Sequence, residues 1–427
     1  MSMIRVTDLT FAYPGSYDNI FEHASFQFDT NWKLGFTGRN GRGKTTFLRL
    51  LTGELPHGGA ITGGVPCGYF PPPVTDDSRL TLEVMEAACP AAEEWELLRE
   101  AGLLEVDGEA LYRPFSTLSN GERTKMLLAA LFCGEDRYLL IDEPTNHLDA
   151  HARQVTAEYL RKKRGFLLVS HDRDFLDGCV DHMMAINKTG VEVVSGTFSS
   201  WWENKARKDA FEQARNDRLK GEIKRLEQSA EERRRKADAV ERAKTGISSQ
   251  GIVKHGLRPY LGEKSRKGQQ QRKNIDHRAE RAIAEKSELL QDLERADALK
   301  LHPLTARGRL LDLKNVTLSY GAQTACGPLT FALEPGDRVA LDGANGCGKS
   351  TLLKFLCGEE GMSHAGGLTR LSGLTVSVVP QDTSFLKGSL RDFARESQVD
   401  ETLLLAILRK LDLSRVQFEK DLADWSA

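Results

Sequence analysis

The chain has no uninterrupted apolar run of the roughly 18 residues needed to cross a bilayer, so a soluble protein is expected. Its start, Met1-Ser2-Met3-Ile4-Arg5-Val6, lacks the basic stretch and apolar segment of a secretory signal, which points to the cytoplasm. Cysteine is scarce: seven residues, an odd number with no Cys-x-x-Cys pair, fit neither a disulfide framework nor a zinc site. Reduced thiols placed mostly in the core are expected. Net charge is also nearly absent, at -2. What remains is a globular composition, 40% hydrophobic and 28% charged, over 427 residues, enough for two to four domains with sizeable cores.

The small net charge hides an asymmetry. Residues 203–300 hold 26 Lys/Arg against 18 Asp/Glu, a local +8 that leaves -10 for the rest. Within 244–278 nine basic residues face only Glu263 and Asp276, so this segment suits a polyanionic partner.

The chain contains an internal repeat. Gly38-Arg-Asn-Gly-Arg-Gly-Lys44-Thr45-Thr46 recurs 305 residues later as Gly343-Ala-Asn-Gly-Cys-Gly-Lys349-Ser350-Thr351. Flanking matches, Leu9 to Tyr13 with Val316 to Tyr320 and Leu51 to Glu54 with Leu356 to Glu359, extend it to two copies of one domain. Each loop follows a strand-like run, Leu34 to Thr37 or Val339 to Leu341, and opens a helix-like one, Phe47 to Leu51 or Leu352 to Leu356. In that context glycines let backbone amides curl around phosphates, the helix N-terminus adds positive field, the lysine reaches terminal phosphates and the hydroxyl binds magnesium.

Between the copies, Phe211, Ala214, Leu219, Ile223 and Leu226, then Ile283, Leu289, Leu290 and Leu293, recur at helical spacing amid charge. An antiparallel helical hairpin is expected, its tip at about 245–274 rich in Gly, Ser, Gln and Lys.

In the first copy Leu118-Ser119-Asn120-Gly121-Glu122 precedes an apolar helix, and the buried-strand run Tyr138 to Ile141 ends in Asp142-Glu143. An acidic pair there suits magnesium coordination by the first carboxylate and activation of water by the second. Phe166 to Val169 then leads into Ser170-His171, an imidazole able to contact a terminal phosphate.

Together these residues resemble the ATP-binding cassette family over nearly the whole chain. The resemblance implies an α/β fold of tandem P-loop cassette domains, the second incomplete, joined by an α-helical hairpin: residues 1–202, 203–305 and 306–427. It implies ATP and Mg2+ as ligands. Gly38, Asn40, Gly41, Gly43, Lys44, Thr45 and Thr46 form the first Walker A loop, and Gly343, Asn345, Gly346, Gly348, Lys349, Ser350 and Thr351 the second. Thr45, Asp142 and Ser350 are expected on the metal, Glu143 and His171 in catalysis, Ser119 and Gly121 in the signature, and Leu148-Asp149 in the D-loop. Tyr13 and Tyr320 stand where the family stacks a ring on adenine. Gln381 is the Q-loop glutamine of the second copy, while Pro72 takes that place in the first.

Two cassettes without membrane spans, a basic linker and Glu143-Pro-Thr-Asn-His147-Leu-Asp149 resemble the ABC-F class, and Thr30 to Lys44 with Arg113 to Ser116 its lincosamide, streptogramin A and pleuromutilin resistance group. That resemblance implies binding to the ribosome, its RNA and tRNA, with the linker near the peptidyl-transferase centre and ATP hydrolysis driving release. A housekeeping ABC-F translation factor, or the ATPase subunit of a membrane transporter, would share the cassettes. The family's head-to-tail dimer would put Lys349, Ser350 and Gln381 opposite Ser119 and Gly121. Trp425-Ser426-Ala427 aligns with Leu118-Ser119-Asn120, so the second copy is expected to lack its Walker B pair, leaving ATP binding with little turnover.

Overall fold

The computed structural model describes residues 2–13, 19–39, 41–133, 137–187, 190–247, 281, 308–321, 323–359, 361–380, 385–411, 413 and 417–424. The chain divides into two units, Met1–Trp201 with Asp297–Ala427, and Trp202–Ala296. Asn40, Gln381, most of the expected tip, the return helix around 283–293 and Ser426 lie outside the described residues.

The first copy runs β1 (Met3–Phe11), β2 (Phe21–Asp29), β3 (Lys33–Gly38), α1 (Lys44–Leu51), β4 (Gly58–Thr62), β5 (Cys67–Phe70), α2 (Thr81–Ala88), α3 (Glu94–Leu103), α4 (Asn120–Cys133), β6 (Tyr138–Asp142), α5 (Ala150–Arg161), β7 (Phe166–Val169), α6 (Arg173–Cys179), β8 (His182–Asn187) and β9 (Gly190–Ser195). An antiparallel sheet has the order β2-β1-β4. A six-stranded sheet runs β5-β6-β7-β3-β8-β9, parallel except for β9.

The apolar runs of the second sheet are continuous because both faces are covered. Tyr138, Leu140, Leu167 and Val169 enter a cluster with Leu34, Phe36 and Phe47. The alternate residues Leu139, Ile141, Phe166 and Leu168 enter the opposite one, with Met126 and Leu160. Adjacent strands β6, β7 and β3 end together. Their carboxyl ends carry Asp142-Glu143, Ser170-His171 and the phosphate loop, the usual place for a ligand in such a sheet.

The helix α7 (Phe198–Ile247) begins with Phe198 and Trp201 buried in the first copy's core. Along it Leu219, Ile223 and Leu226 form a half-buried stripe at helical spacing, whereas Phe211, expected on that face, is 71% exposed.

The second copy contains β10 (Leu311–Tyr320), β11 (Gln323–Leu333), α8 (Lys349–Cys357), β12 (Ser363–Arg370), α9 (Leu390–Glu396) and α10 (Glu401–Lys410). Its sheet order, β11-β10-β12, repeats β2-β1-β4, and Leu352 of α8 packs beneath it on Leu313, Val316 and Leu318. The strand expected at 339–341 does not form, and Val339 is exposed. Its counterpart β3 lies between β7 and β8, and among the described residues the second copy has no equivalent of either, so the run has no ladder to join. The expected core placement of the thiols holds for Cys89 and Cys179; Cys347 is exposed in the second phosphate loop, where the first copy has Arg42.

Candidate nucleotide site

Each phosphate loop turns through glycines in the left-handed region, where other side chains are strained. Gly43 precedes α1 at φ 86°, and a Cβ on it would lie 2.3 Å from Ile20 Cγ2. Gly348, at φ 94°, would bring a Cβ to 2.5 Å from Cys326 Cβ. Lys44 Nζ donates to the carbonyls of Gly38 (2.9 Å) and Arg39 (3.4 Å), and Lys349 Nζ to those of Gly343 (2.6 Å) and Ala344 (2.9 Å). Both lysines thus fold over their own loops in the same way. Burial lowers the Lys44 pKa, against the pull of Glu143 and Asp142. Tyr13 OH lies 3.1 Å from Thr46 Oγ1, on the first turn of α1, while Tyr320 is exposed at the end of β10.

Thr45 Oγ1 donates to Asp142 Oδ2 at 2.8 Å, joining the two residues expected on the metal. The same oxygen accepts Tyr69 OH at 3.0 Å, a contact the sequence reading missed. Glu143 follows at φ 45°, a left-handed conformation uncommon for a side chain of its size, held by its N–H to Val169 O at 2.9 Å. Its Oε1 is buried and has no hydrogen-bond partner. His171 Nε2 stands 3.5 Å from that oxygen. Burial first, then Asp142 and Asp172, push the Glu143 carboxyl up to about 7, against the His171 N–H and Lys44. Burial and Lys44 hold His171 below its ordinary value. A cavity of about 700 Å³ opens beside Thr45, Tyr69, Asp142 and Glu143.

The signature forms a reciprocal cap on α4. Ser119 N–H donates to Glu122 Oε2 at 2.8 Å, and Glu122 N–H to Ser119 Oγ at 3.2 Å. Against this helix end lies the second copy's loop. Asn345 N–H donates to Asp149 Oδ2 at 3.1 Å and Asn345 Nδ2 to His147 O at 2.8 Å. A Cβ on Gly121 would stand 3.2 Å from His147 O and 3.3 Å from Asn345 Nδ2. The second phosphate loop therefore lies, through Asn345, against His147, Asp149 and Gly121. Asp149 also caps α5 through Ala152 N–H, and these two backbone donors hold its pKa low.

The donor set fits MgATP. Two glycine-formed amide cradles, a lysine over each, a hydroxyl paired with one carboxylate and a buried unpartnered oxygen where water would sit are what a phosphate-bound magnesium needs. Among the described residues no group of three or more His, Cys, Asp or Glu is arranged to hold a metal ion by itself.

The model of the ABC transporter family matches residues 21–146 and 326–423, covering both phosphate loops and the first signature and acidic pair. The chain belongs to this family. Among relatives of this ABC protein, ribosome protection protein VmlR of Bacillus subtilis is 28% identical over 83% of this chain and 62% of its own length. Energy-dependent translational throttle protein EttA of Haemophilus influenzae is 27% identical over 85% and 67%. An ATP-binding cassette sub-family F member 3 homologue of Encephalitozoon cuniculi is 25% identical over 86% and 59%. The ABC chain thus spans about three fifths of the length of these relatives. None of its described helices is long and apolar enough to cross a membrane.

Proposed function

We propose that the chain is an ABC-F ATPase of the ribosome: it binds MgATP, inserts its basic inter-cassette segment near the peptidyl-transferase centre to protect that site from antibiotics, and leaves on hydrolysis. The observation that carries the ATPase reading is the convergence of Lys44, the Thr45–Asp142 pair and the unpartnered Glu143 Oε1 at the ends of β3, β6 and β7. The ribosomal reading rests on the +8 charge of residues 203–300 and on the similarity to a ribosome protection protein and a translational throttle protein. EttA equally supports a housekeeping translation factor built on the same site.

Bound ATP with magnesium supplies a charge-neutralised phosphoanhydride open to attack by water. Lys44 Nζ then exchanges the Gly38 and Arg39 carbonyls for phosphate oxygens. Thr45 Oγ1 and the Asp142 carboxylate, paired at 2.8 Å, would hold a magnesium ion there. Glu143 Oε1 takes the proton of the attacking water, a role suited to a carboxyl raised to about 7. His171, neutral at that pH, orients the water or a phosphate oxygen through its ring.

Co-sedimentation with ribosomes tests the reading. Association with MgATP should weaken steeply between about 50 and 200 mM salt, and Lys44→Ala should abolish the nucleotide dependence. A Gly-Ser replacement of 245–274 should remove drug protection while ATP binding persists. Salt-insensitive association, or protection that survives the replacement, refutes the proposal.

A further inference from the structure

Around the exit of β5 the sequences of the two copies differ in where they carry a polar residue. Aligned on Pro71 and Pro380, the first reads Tyr69-Phe-Pro-Pro72 and the second Val378-Val-Pro-Gln381. Where the second copy has glutamine, the first has proline, whose side chain can neither donate nor accept a hydrogen bond. Where the second copy has valine, the first has tyrosine. In the sequence, the tyrosine of the first copy and the glutamine of the second stand three aligned positions apart.

In the first copy the register fixes what that side chain meets. Strand β5 pairs in parallel with β6, Tyr69 opposite Leu140 and Phe70 opposite Ile141, so Tyr69 lies two residues short of Asp142 on the neighbouring strand. Its hydroxyl reaches Asp142 Oδ2 at 3.0 Å, the oxygen that also accepts Thr45 Oγ1. Two hydroxyl donors from different elements, one on the Walker helix and one on β5, converge on one carboxylate oxygen and thereby set the plane of the carboxylate.

We propose that Tyr69 is a positioning residue for the divalent cation: its hydroxyl orients the Asp142 carboxylate toward the metal, in the copy where proline has replaced the Q-loop glutamine. Tyr69 acts through Asp142 and touches neither nucleotide nor metal. The inference rests on the MgATP site proposed above and separates from it by experiment.

ATP is titrated calorimetrically into the full chain and into Tyr69→Phe, once with magnesium and once with EDTA, and the ratio of the two Kd values is compared. Phenylalanine keeps the ring and removes only the donor. The metal-free Kd of the variant should stay within about twofold of the parent, which also reports an intact loop, while the enhancement by magnesium falls about five- to tenfold; a hydrogen bond to a carboxylate would give more, but Thr45 retains part of the orientation. An unchanged enhancement overturns the inference, and so does equal weakening with and without the metal, since that marks a packing role alone. If the parent chain shows no enhancement by magnesium, the MgATP reading itself fails, whatever the variant does.

Discussion

Replacing Glu143 by glutamine should stabilise the nucleotide-free protein at alkaline pH even as it removes turnover. The Glu143 side chain is 22% exposed, and its carboxyl is raised to about 7 in the folded protein. In the unfolded chain a glutamate ionises near 4.3. Between those values the folded state binds more protons than the unfolded one, so stability falls as pH rises and the full penalty is present above about 7. At about 1.4 kcal/mol per tenfold in proton affinity the ceiling is about 3.7 kcal/mol, which access to water reduces to about 2. Glutamine matches the shape, carries no charge and shares the left-handed backbone, so the φ of 45° does not enter the difference. Thermal unfolding at pH 8 should show Glu143→Gln melting about 4–8 °C higher, the scale for a domain of some 200 residues. At pH 5, where the folded parent is already protonated, the gap should shrink to about a third. Turnover should fall about 10²–10⁴-fold. A gap equal at both pH values, or a variant less stable at pH 8, would refute the reasoning.

Three further substitutions probe the first copy. Tyr138 is buried with its hydroxyl unpartnered; Tyr138→Phe should be neutral or stabilising by up to about 1 kcal/mol in urea unfolding, and a loss of that size would contradict the assignment. Glu100 is 3% exposed and accepts Tyr159 OH (2.6 Å), Arg99 (3.1 Å) and Lys163; Glu100→Ala strands Lys163 and should cost about 3 kcal/mol. Burial alone would raise the Glu100 pKa, but its donors outweigh burial and hold it low, so the difference should be full at neutral pH and shrink on acidification; a pH-independent cost would count against the network. Gly121→Val should displace the second loop, seen as hydrogen exchange at the Asn345 amide at least about tenfold faster, and unaltered protection would mean that the contact is not held in solution.

Much of this site was legible in the chain because its chemistry is local in sequence. Gly38 to Thr46 sets a turn and a helix start by itself, and Tyr138 to Glu143 shows a strand buried on both faces that ends in two acids. The partners brought by sheet order were harder to see. Tyr69 reaches Asp142 only because β5 is the neighbour of β6, an adjacency that no motif records. The capping of α4 by Ser119 and Glu122 could have been read from the Ser-x-x-Glu spacing alone. The strand expected at Val339 to Leu341 failed for a different reason. Its residues favour a strand, but strand formation depends on neighbours, and apolar composition does not supply a ladder.

The unladdered half of the second copy has a consequence for handling the molecule. Leu374-Thr-Val-Ser-Val-Val-Pro380 carries no charge, adopts no strand, and leaves Val378 and Val379 exposed, the latter at 94%. An exposed, uncharged β-branched run outside any described strand suits strand addition between molecules. Self-association on concentration, followed by light scattering, should therefore set in through this segment, while the first copy stays packed. A lysine at Val379, facing water already, is the gatekeeper that would keep such preparations dispersed.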